Sequence, residues 1–255
     1  MNVLAIFKKE FRCYFTSPIA YVVLTIFALI SGYFFYSLLT FFSLNSLQAS
    51  FNPAFAQSLN ATEWIVRPLL RNIAVTMLLL MPAATMRLFA EEKKSGTIEL
   101  LFTYPIRDWE LVLGKFLAGL TLYAGMLGVS LLDLVMLGFF ARIEWGPVLT
   151  GYLGLLLLGM AFLGLGILAS SLTENQIVAV VGAFGVLLLL WVIGWATETA
   201  GPTVGAILSH LSIINHYDSF AKGVIESKDV IFYLNFTLLC LFLTLRSLES
   251  KRWRG

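Results

Sequence analysis

Apolar residues in this chain come in long unbroken runs, parted by short polar stretches. A helix needs about 20 such residues to cross about 30 Å of hydrocarbon. Six segments meet or approach that length: 18–42, 69–89, 111–140, 148–172, 177–196 and 230–245. The runs do not alternate with period two, so the strands of a membrane barrel are not indicated. The pattern predicts an all-α fold, a polytopic membrane protein with six transmembrane helices in one domain over 1–255. Arg71 and Arg87 bracket the second run, where their stems can reach the two interfaces, and Pro82 should kink it.

The polar stretches are patterned too. Over residues 1–17, Val3, Leu4, Phe7, Phe11, Tyr14 and Phe15 share one helical face, with Lys8, Lys9 and Arg12 opposite. That predicts an N-terminal interfacial amphipathic helix lying on the lipid bilayer. Residues 43–68 read as a polar loop holding one short helix. Residues 204–214 are apolar but only half a span long. They predict a half-buried, re-entrant helical segment before the last span, tolerated where protein or a watery cavity satisfies its backbone. Glycines crowd the fourth run, at 151, 154, 159, 164 and 166, and Ala179 and Ala183 sit one turn apart in the fifth. Small residues let membrane helices approach closely. Tight packing inside the bundle is expected, with a subunit interface as the alternative.

Composition agrees with the pattern. Hydrophobic residues make up 59% of the chain and charged ones 13%, with a mean hydropathy of +0.87. Soluble domains run nearer 45–50% and about 25%. The formal charge of +2 is too small for a nucleic-acid partner. With the N-terminus placed inside, twelve of the 17 Lys and Arg fall on the inner side. Both termini should therefore be cytoplasmic. Cys13 precedes the first run and Cys240 lies in the last, so no disulfide framework is implied. The first run exceeds a signal-peptide core and should be retained as a span.

The longest charged interval, 90–110, lies between the second and third runs. It reads as a short amphipathic helix clamped between spans. Gly96 gives a turn, and Thr97 can cap the helical turn beginning at Ile98. Ile98, Leu101 and Phe102 form the apolar side, Glu99 is exposed, and Pro105 ends it. Nothing in it can do covalent chemistry, so a docking surface is the better reading. Asp133 is the one ionisable residue well inside a run. An acid at a helix centre costs about 2.5–3.5 kcal/mol on insertion scales. It must bond a neighbouring helix or line a transport route. His210, His216 and Asp218 lack ligand-pair spacing, which favours polar residues flanking a turn over a metal site. Gly114-Lys115 lacks the other marks of a phosphate-binding loop, so any ATP is handled by another polypeptide. No catalytic residue, metal site or cofactor is expected in this chain. A membrane-embedded enzyme would need several polar groups facing each other within the spans, and a secondary transporter would need internal repeats. Both stand as rivals from other classes.

Glu91, Glu92, Lys93, Gly96, Thr97, Ile98, Glu99, Leu100, Leu101, Pro105, Gly114 and Lys115 form an ordered set. It resembles the cytoplasmic loop of the membrane subunits of ABC-2-type transporters. The resemblance implies that 90–110 is a coupling loop docked on a cytoplasmic ABC ATPase subunit, which would hold the ATP and Mg. Lys8-Lys9-Glu10-Phe11-Arg12 before Ser17-Pro18 is similar to that family's interfacial connecting helix. It further implies a permease, an exporter, in a bacterial cytoplasmic membrane. Such a permease works as a homodimer or as a heterodimer with a homologous permease. The segments at 172–176 and 216–223 resemble the gliding-motility-associated GldF-type permeases, which would imply a mechanically signalling or gliding-associated complex. An auxiliary protein with an extracytoplasmic domain is the remaining partner implied.

Overall fold

A computed structural model describes residues 2–49, 59–99, 106–197 and 201–252. The helices are α1 (Asn2–Thr16), α2 (Pro18–Ala49), α3 (Arg67–Thr85), α4 (Arg87–Lys94), α5 (Asp108–Phe140), α6 (Trp145–Leu172), α7 (Gln176–Ala196), α8 (Pro202–Leu211), α9 (Asn215–Ala221) and α10 (Ser227–Arg252). A π-helical turn, Thr62–Val66, opens directly into α3. No strand occurs among the described residues. Among the described residues, six stretches are long and apolar enough to cross a membrane: α2, the π-turn with α3 and α4, α5, α6, α7 and α10. The fold is all-α, as the apolar runs require.

The ends differ from the apolar runs for local reasons. α2 continues past residue 42 to Ala49. The side chains of Thr40, Ser43, Asn45 and Ser46 donate back to carbonyls one turn earlier. These polar groups are satisfied within the helix, so it outlasts its apolar face. Residues 43–49, expected in a loop, are therefore helical. The second span lengthens at both ends, to Thr62–Lys94. Asn60 Oδ1 accepts from the Thr62 amide at 2.9 Å and starts it.

The expected kink appears as an interruption at Met86, one turn past Pro82. Pro82 has no N–H to give. Thr85 Oγ1 donates back to the Met81 and Pro82 carbonyls at 2.9 and 3.2 Å. The Ser170 hydroxyl of α6 then enters the gap. It donates to the Met86 carbonyl at 2.8 Å and accepts from the Phe89 and Ala90 amides, each at 3.0 Å. A side chain inserted into the ladder is a sufficient cause of such a break.

α6 is the central helix and packs on α3, α5, α7, α9 and α10. Its Leu155, Leu158, Phe162 and Leu163 are fully buried. A Cβ built on Gly159 would stand 2.1 Å from the Tyr123 ring, and one on Gly166 2.0 Å from Thr85 Oγ1. These glycines bring neighbouring helices of the same chain close. Large apolar side chains such as Leu29, Leu189 and Leu238 are exposed on α2, α7 and α10, as suits helices solvated by lipid tails.

α1 forms as expected but turns a different face inward. Ile6, Glu10 and Tyr14 are buried, one per turn. Phe7, Phe11 and Phe15 are half-buried and lie ring against ring, while Leu4 is exposed. A salt partner for Glu10 on α5, and not apolarity alone, sets the rotation. At the opposite end of the bundle, residues 204–214 form most of α8 and the turn after it. Ser212, Ile213 and Ile214 are buried there, and the Ile213 amide donates to the Leu190 carbonyl at 3.3 Å. Gly223, at φ +88°, turns the chain from α9 toward α10.

Candidate functional site

Three helices converge at the end of the bundle that carries α1. Gly114 is where α1 crosses α5: a Cβ there would stand 2.6 Å from Ile6 Cγ2. The next residue, Lys115, is 0% exposed. An ammonium has three protons to place, and three acceptors surround it. The Leu88 carbonyl lies at 2.6 Å, Glu10 Oε1 at 3.0 Å and Glu92 Oε2 at 2.9 Å, the last as an ion pair. The Phe89 ring centroid is 5.0 Å away, close enough for a cation–π contact. Lys9 spans the same carboxylates, at 2.9 Å from Glu92 Oε1 and 3.2 Å from Glu10 Oε1. Two cations thus balance two anions, which buried charge demands.

Burial pushes the Glu10 carboxyl up, but Lys115 and Lys9 together pull it further down, to below the usual carboxylate range. Burial pulls the Lys9 ammonium down, and Glu10 and Glu92 more than reverse this, leaving it above the usual lysine range. Around this core, the Tyr14 hydroxyl donates to the Ala84 carbonyl at 3.1 Å. Arg87 pairs with Glu91 at 3.0 Å and donates to Ser17 Oγ at 3.0 Å. Glu110 Oε2 accepts from the Arg107 amide at 3.0 Å, capping α5, and from Asn2 Nδ2 at 3.1 Å. Lys93 Nζ donates to the Ser171 carbonyl and fixes α4 to α6. A cavity of about 450 Å³ opens beside the network, with Cys13, Ser95 and Thr97 in its wall.

The residues singled out from sequence fall around this joint unevenly. Glu91 is exposed and held by Arg87. Gly96 has φ +70°, the left-handed region that favours glycine. Thr97 is exposed, and its hydroxyl bonds back to the Glu92 carbonyl at 3.3 Å and pairs with Ser95 Oγ at 2.9 Å. It ties the turn to α4, while the Gly96 carbonyl accepts the Glu99 amide at 3.3 Å. Ile98 is 8% exposed and packs into the chain's own core, so its side chain is not on offer as free apolar surface. Glu99 is exposed. Leu100, Leu101, Phe102 and Pro105 lie outside the described residues.

Asp133 is not part of the joint. It sits five turns along α5 from Lys115, roughly 27 Å away at 1.5 Å per residue. It is half-buried and accepts from Ser31 Oγ of α2 at 3.4 Å. Ser130, one turn earlier, meets the Tyr152 hydroxyl of α6 at 2.9 Å. His216 pairs with Asp229 at 2.7 Å. Among the described residues no three metal-ligating side chains come together. Sequence reasoning missed the four-charge network because Glu10 and Lys115, which close it, lie 105 positions apart. The available signal was an acidic residue, Glu10, one turn from both Ile6 and Tyr14 on the inward side of α1, and a lysine at the start of an apolar run.

The joint makes and breaks no bonds. It joins α4 to α1 and α5 through short charged contacts. A family model described as ABC-2 family transporter protein matches residues 4–249. A comparison with curated proteins found no match. Members of that family are membrane transport subunits paired with a separate ABC ATPase subunit, and are not themselves enzymes. Matched over nearly its whole length, the chain belongs to the ABC-2 transporter family and is a multi-pass membrane permease subunit.

Proposed function

We propose that this permease is an exporter whose loop 90–110 docks the ATPase, and that the Lys115 network carries the push into the bundle. The observation behind this is Lys115 itself, which holds Glu10 of α1 and Leu88 and Glu92 of α4 from its place on α5. α4 leads straight to the turn at Gly96. Force applied beyond that turn reaches α1 and α5 together. The docking face is built from Glu91, Gly96, Thr97, Glu99, Leu101, Phe102 and Pro105, with Ile98 anchoring it from within. The lysine and arginine distribution supports a cytoplasmic loop and cytoplasmic termini, and the resemblance of the loop implies a bacterial cytoplasmic membrane.

A second permease, identical or homologous, completes the route, and Asp133 lines it. The single transmembrane domain covers 1–255, with 1–17 lying along the membrane surface and α8–α9 dipping back from outside. An auxiliary protein supplies any extracytoplasmic domain. A route with so few charges fits hydrophobic or amphiphilic cargo. A gliding-associated or mechanically signalling complex is the finer alternative. The residues that favour it also have structural work: Asn175 Oδ1 caps α7 by accepting the Ile177 amide at 2.9 Å, and His216 is paired with Asp229.

Three variants test the docking face: Glu99→Lys, Leu101→Asp and Gly96→Pro. Each should insert in the membrane normally, then lose ATPase co-purification or uncouple hydrolysis from transport. Wild-type assembly and coupled turnover in all three would overturn the proposal. A cysteine at Thr97 should be shielded from an impermeant thiol reagent added outside, and one at Asn60 should react.

A further inference from the structure

The second span carries a cation that nothing described in the chain answers. Glu63, Arg67 and Arg71 follow one another at four-residue steps along the π-turn and α3. Arg67 is answered in part: it pairs with Glu63, and its Nη2 donates to the Lys222 carbonyl at 3.4 Å. Its Nε is buried with no hydrogen-bond partner among the described residues. Arg71 is exposed and makes neither an ion pair nor a hydrogen bond with any described residue. The side-chain amide of Asn72, beside it, is also unbonded among them. Like charges one turn apart repel, and two guanidiniums with one carboxylate leave a positive charge over.

The strip below Arg71 is apolar. Val75 and Leu79 succeed it at one-turn steps and are 51% and 56% exposed. Leu69, Leu70, Ile73, Ala74, Met77 and Leu78 are buried, because α2, α6 and α7 pack on α3. The open strip is therefore about one side chain wide. Thr76 at its edge turns its hydroxyl back to the Asn72 carbonyl at 2.8 Å and adds little polarity.

Depth fits a lipid. Arg71 and Arg87 are 16 positions apart, roughly 24 Å at 1.5 Å per residue. The hydrocarbon layer is about 30 Å thick. With Arg87 in the ionic layer at one interface, Arg71 starts just inside the other. Its stem carries the guanidinium up to the level of the lipid phosphates, where an arginine fork meets two phosphate oxygens at once.

We propose that Arg71, with Arg67 and Asn72 beside it, binds the phosphate of an anionic phospholipid, one of whose acyl chains lies along Val75 and Leu79. A negative headgroup above a single chain answers both the surplus charge and the apolar strip. A free phosphate answers only the first, and a diacylglycerol only the second. A phosphatidylcholine brings its own cation and leaves the surplus in place. On the orientation proposed above, the lipid belongs to the outer leaflet. Binding itself does not depend on the exporter reading.

Lipid titration tests the site. The full-length protein, stripped of lipid in a neutral detergent, is titrated with dioleoylphosphatidylglycerol while its melting temperature is followed. The temperature should rise and saturate. Arg71→Gln removes an exposed, unbonded side chain, so it should fold normally. It should need about tenfold more lipid for the same rise, the worth of one charged hydrogen bond. Arg71→Lys keeps the charge without the fork and should fall between. Arg142, exposed in the turn after α5, is the control, and Arg142→Gln should match wild type. Glycerol phosphate and dioleoylglycerol should each leave the wild type unchanged, and dioleoylphosphatidylcholine should bind more weakly.

Equal titrations of wild type and Arg71→Gln overturn the site. Should Arg71→Gln not fold, Arg71→Lys decides, and wild-type affinity there overturns it. An equal loss in Arg142→Gln would reduce the effect to general surface charge. A full response to glycerol phosphate would make this a free-anion site, and one to dioleoylglycerol or dioleoylphosphatidylcholine an ordinary bilayer contact; each refutes the proposal. So does a dimer in lipid-free detergent that Arg71→Gln disperses, because the cation then belongs to a second copy.

Discussion

The ammonium of Lys115 stands 3.0 Å from the carboxylate of Glu10, although 105 positions separate them. Their side chains are 1% and 9% exposed. This contact, with Gly114 beside Ile6, fixes how α1 lies across α5. It also places Lys9 where it can hold Glu92 of α4. A helix whose charge pattern predicts a place on the membrane surface is thereby also tied to the bundle.

Removing one partner of this buried group should be severe. Lys115→Met leaves Glu10 and Glu92 facing each other without their buried cation. Breaking such a pair costs about 3 to 5 kcal/mol. The double variant Lys115→Met with Glu10→Gln should recover part of that loss in detergent melting experiments. It should not recover coupling of ATP hydrolysis in the assembled complex, because the link between the helices is gone. Full coupling in the double variant would remove the network from the transmission route.

The network also sets a pH signature. The Glu10 carboxyl is lowered on folding, so its stabilisation is present above the usual 4.5 and fades as pH falls through the lowered folded value. The Lys9 ammonium is raised, so its stabilisation is complete below the usual 10.5 and fades as pH rises through the raised value. Stability from the joint should be flat across neutral pH. The melting-temperature gap between wild type and Glu10→Gln should shrink as the buffer falls below pH 4.5. A gap that widens there would reverse the sign and refute the pairing.

Much of this fold was legible because membrane spans announce themselves by run length. The amphipathic period of α1 and the position of the Gly96 turn were equally plain. Less legible were features set by side chains reaching local or distant backbone. α2 outran its apolar run because Ser43 and Asn45 bond within it. The interruption at Met86 needs Ser170, which is a neighbour only in three dimensions. Ile98 looked like partner-facing surface by periodicity, yet it fills the chain's own core. Glu10 shares a helical face with Ile6 and Tyr14, but its charge hid it as a core residue until Lys115 met it. His216 paired with Asp229, not with the nearer Asp218 in sequence, because the turn at Gly223 brings α10 back alongside α9.

The glycines of α6 give a sharp contrast. Gly159→Ala would drive its Cβ into the Tyr123 ring, whose hydroxyl is already bonded to the Leu155 carbonyl. The ring is fully buried and has nowhere to go. A loss of about 1–3 kcal/mol is expected for such overpacking. Gly182→Ala in α7 meets nothing within 4 Å and should leave the melting temperature unchanged or raise it, since alanine favours a helix over glycine. Equal behaviour of the two variants would deny that close helix contact is why α6 carries glycine.

Asp133 separates a structural from a transport role. Its carboxylate accepts from Ser31, which is 2% exposed. Asp133→Asn keeps an acceptor for that hydroxyl and removes the charge. Asp133→Leu removes both. If the residue only joins α2 to α5, Asn should behave as wild type and Leu should lower thermal stability by about 1 kcal/mol, the worth of one hydrogen bond. If the charge lines the route, Asn should express and assemble normally while changing ATP turnover and transport in the reconstituted complex. The second outcome is expected. An intramembrane acid costs about 2.5–3.5 kcal/mol to insert, and one hydrogen bond at 3.4 Å does not repay that. Normal transport by both variants would take Asp133 off the route.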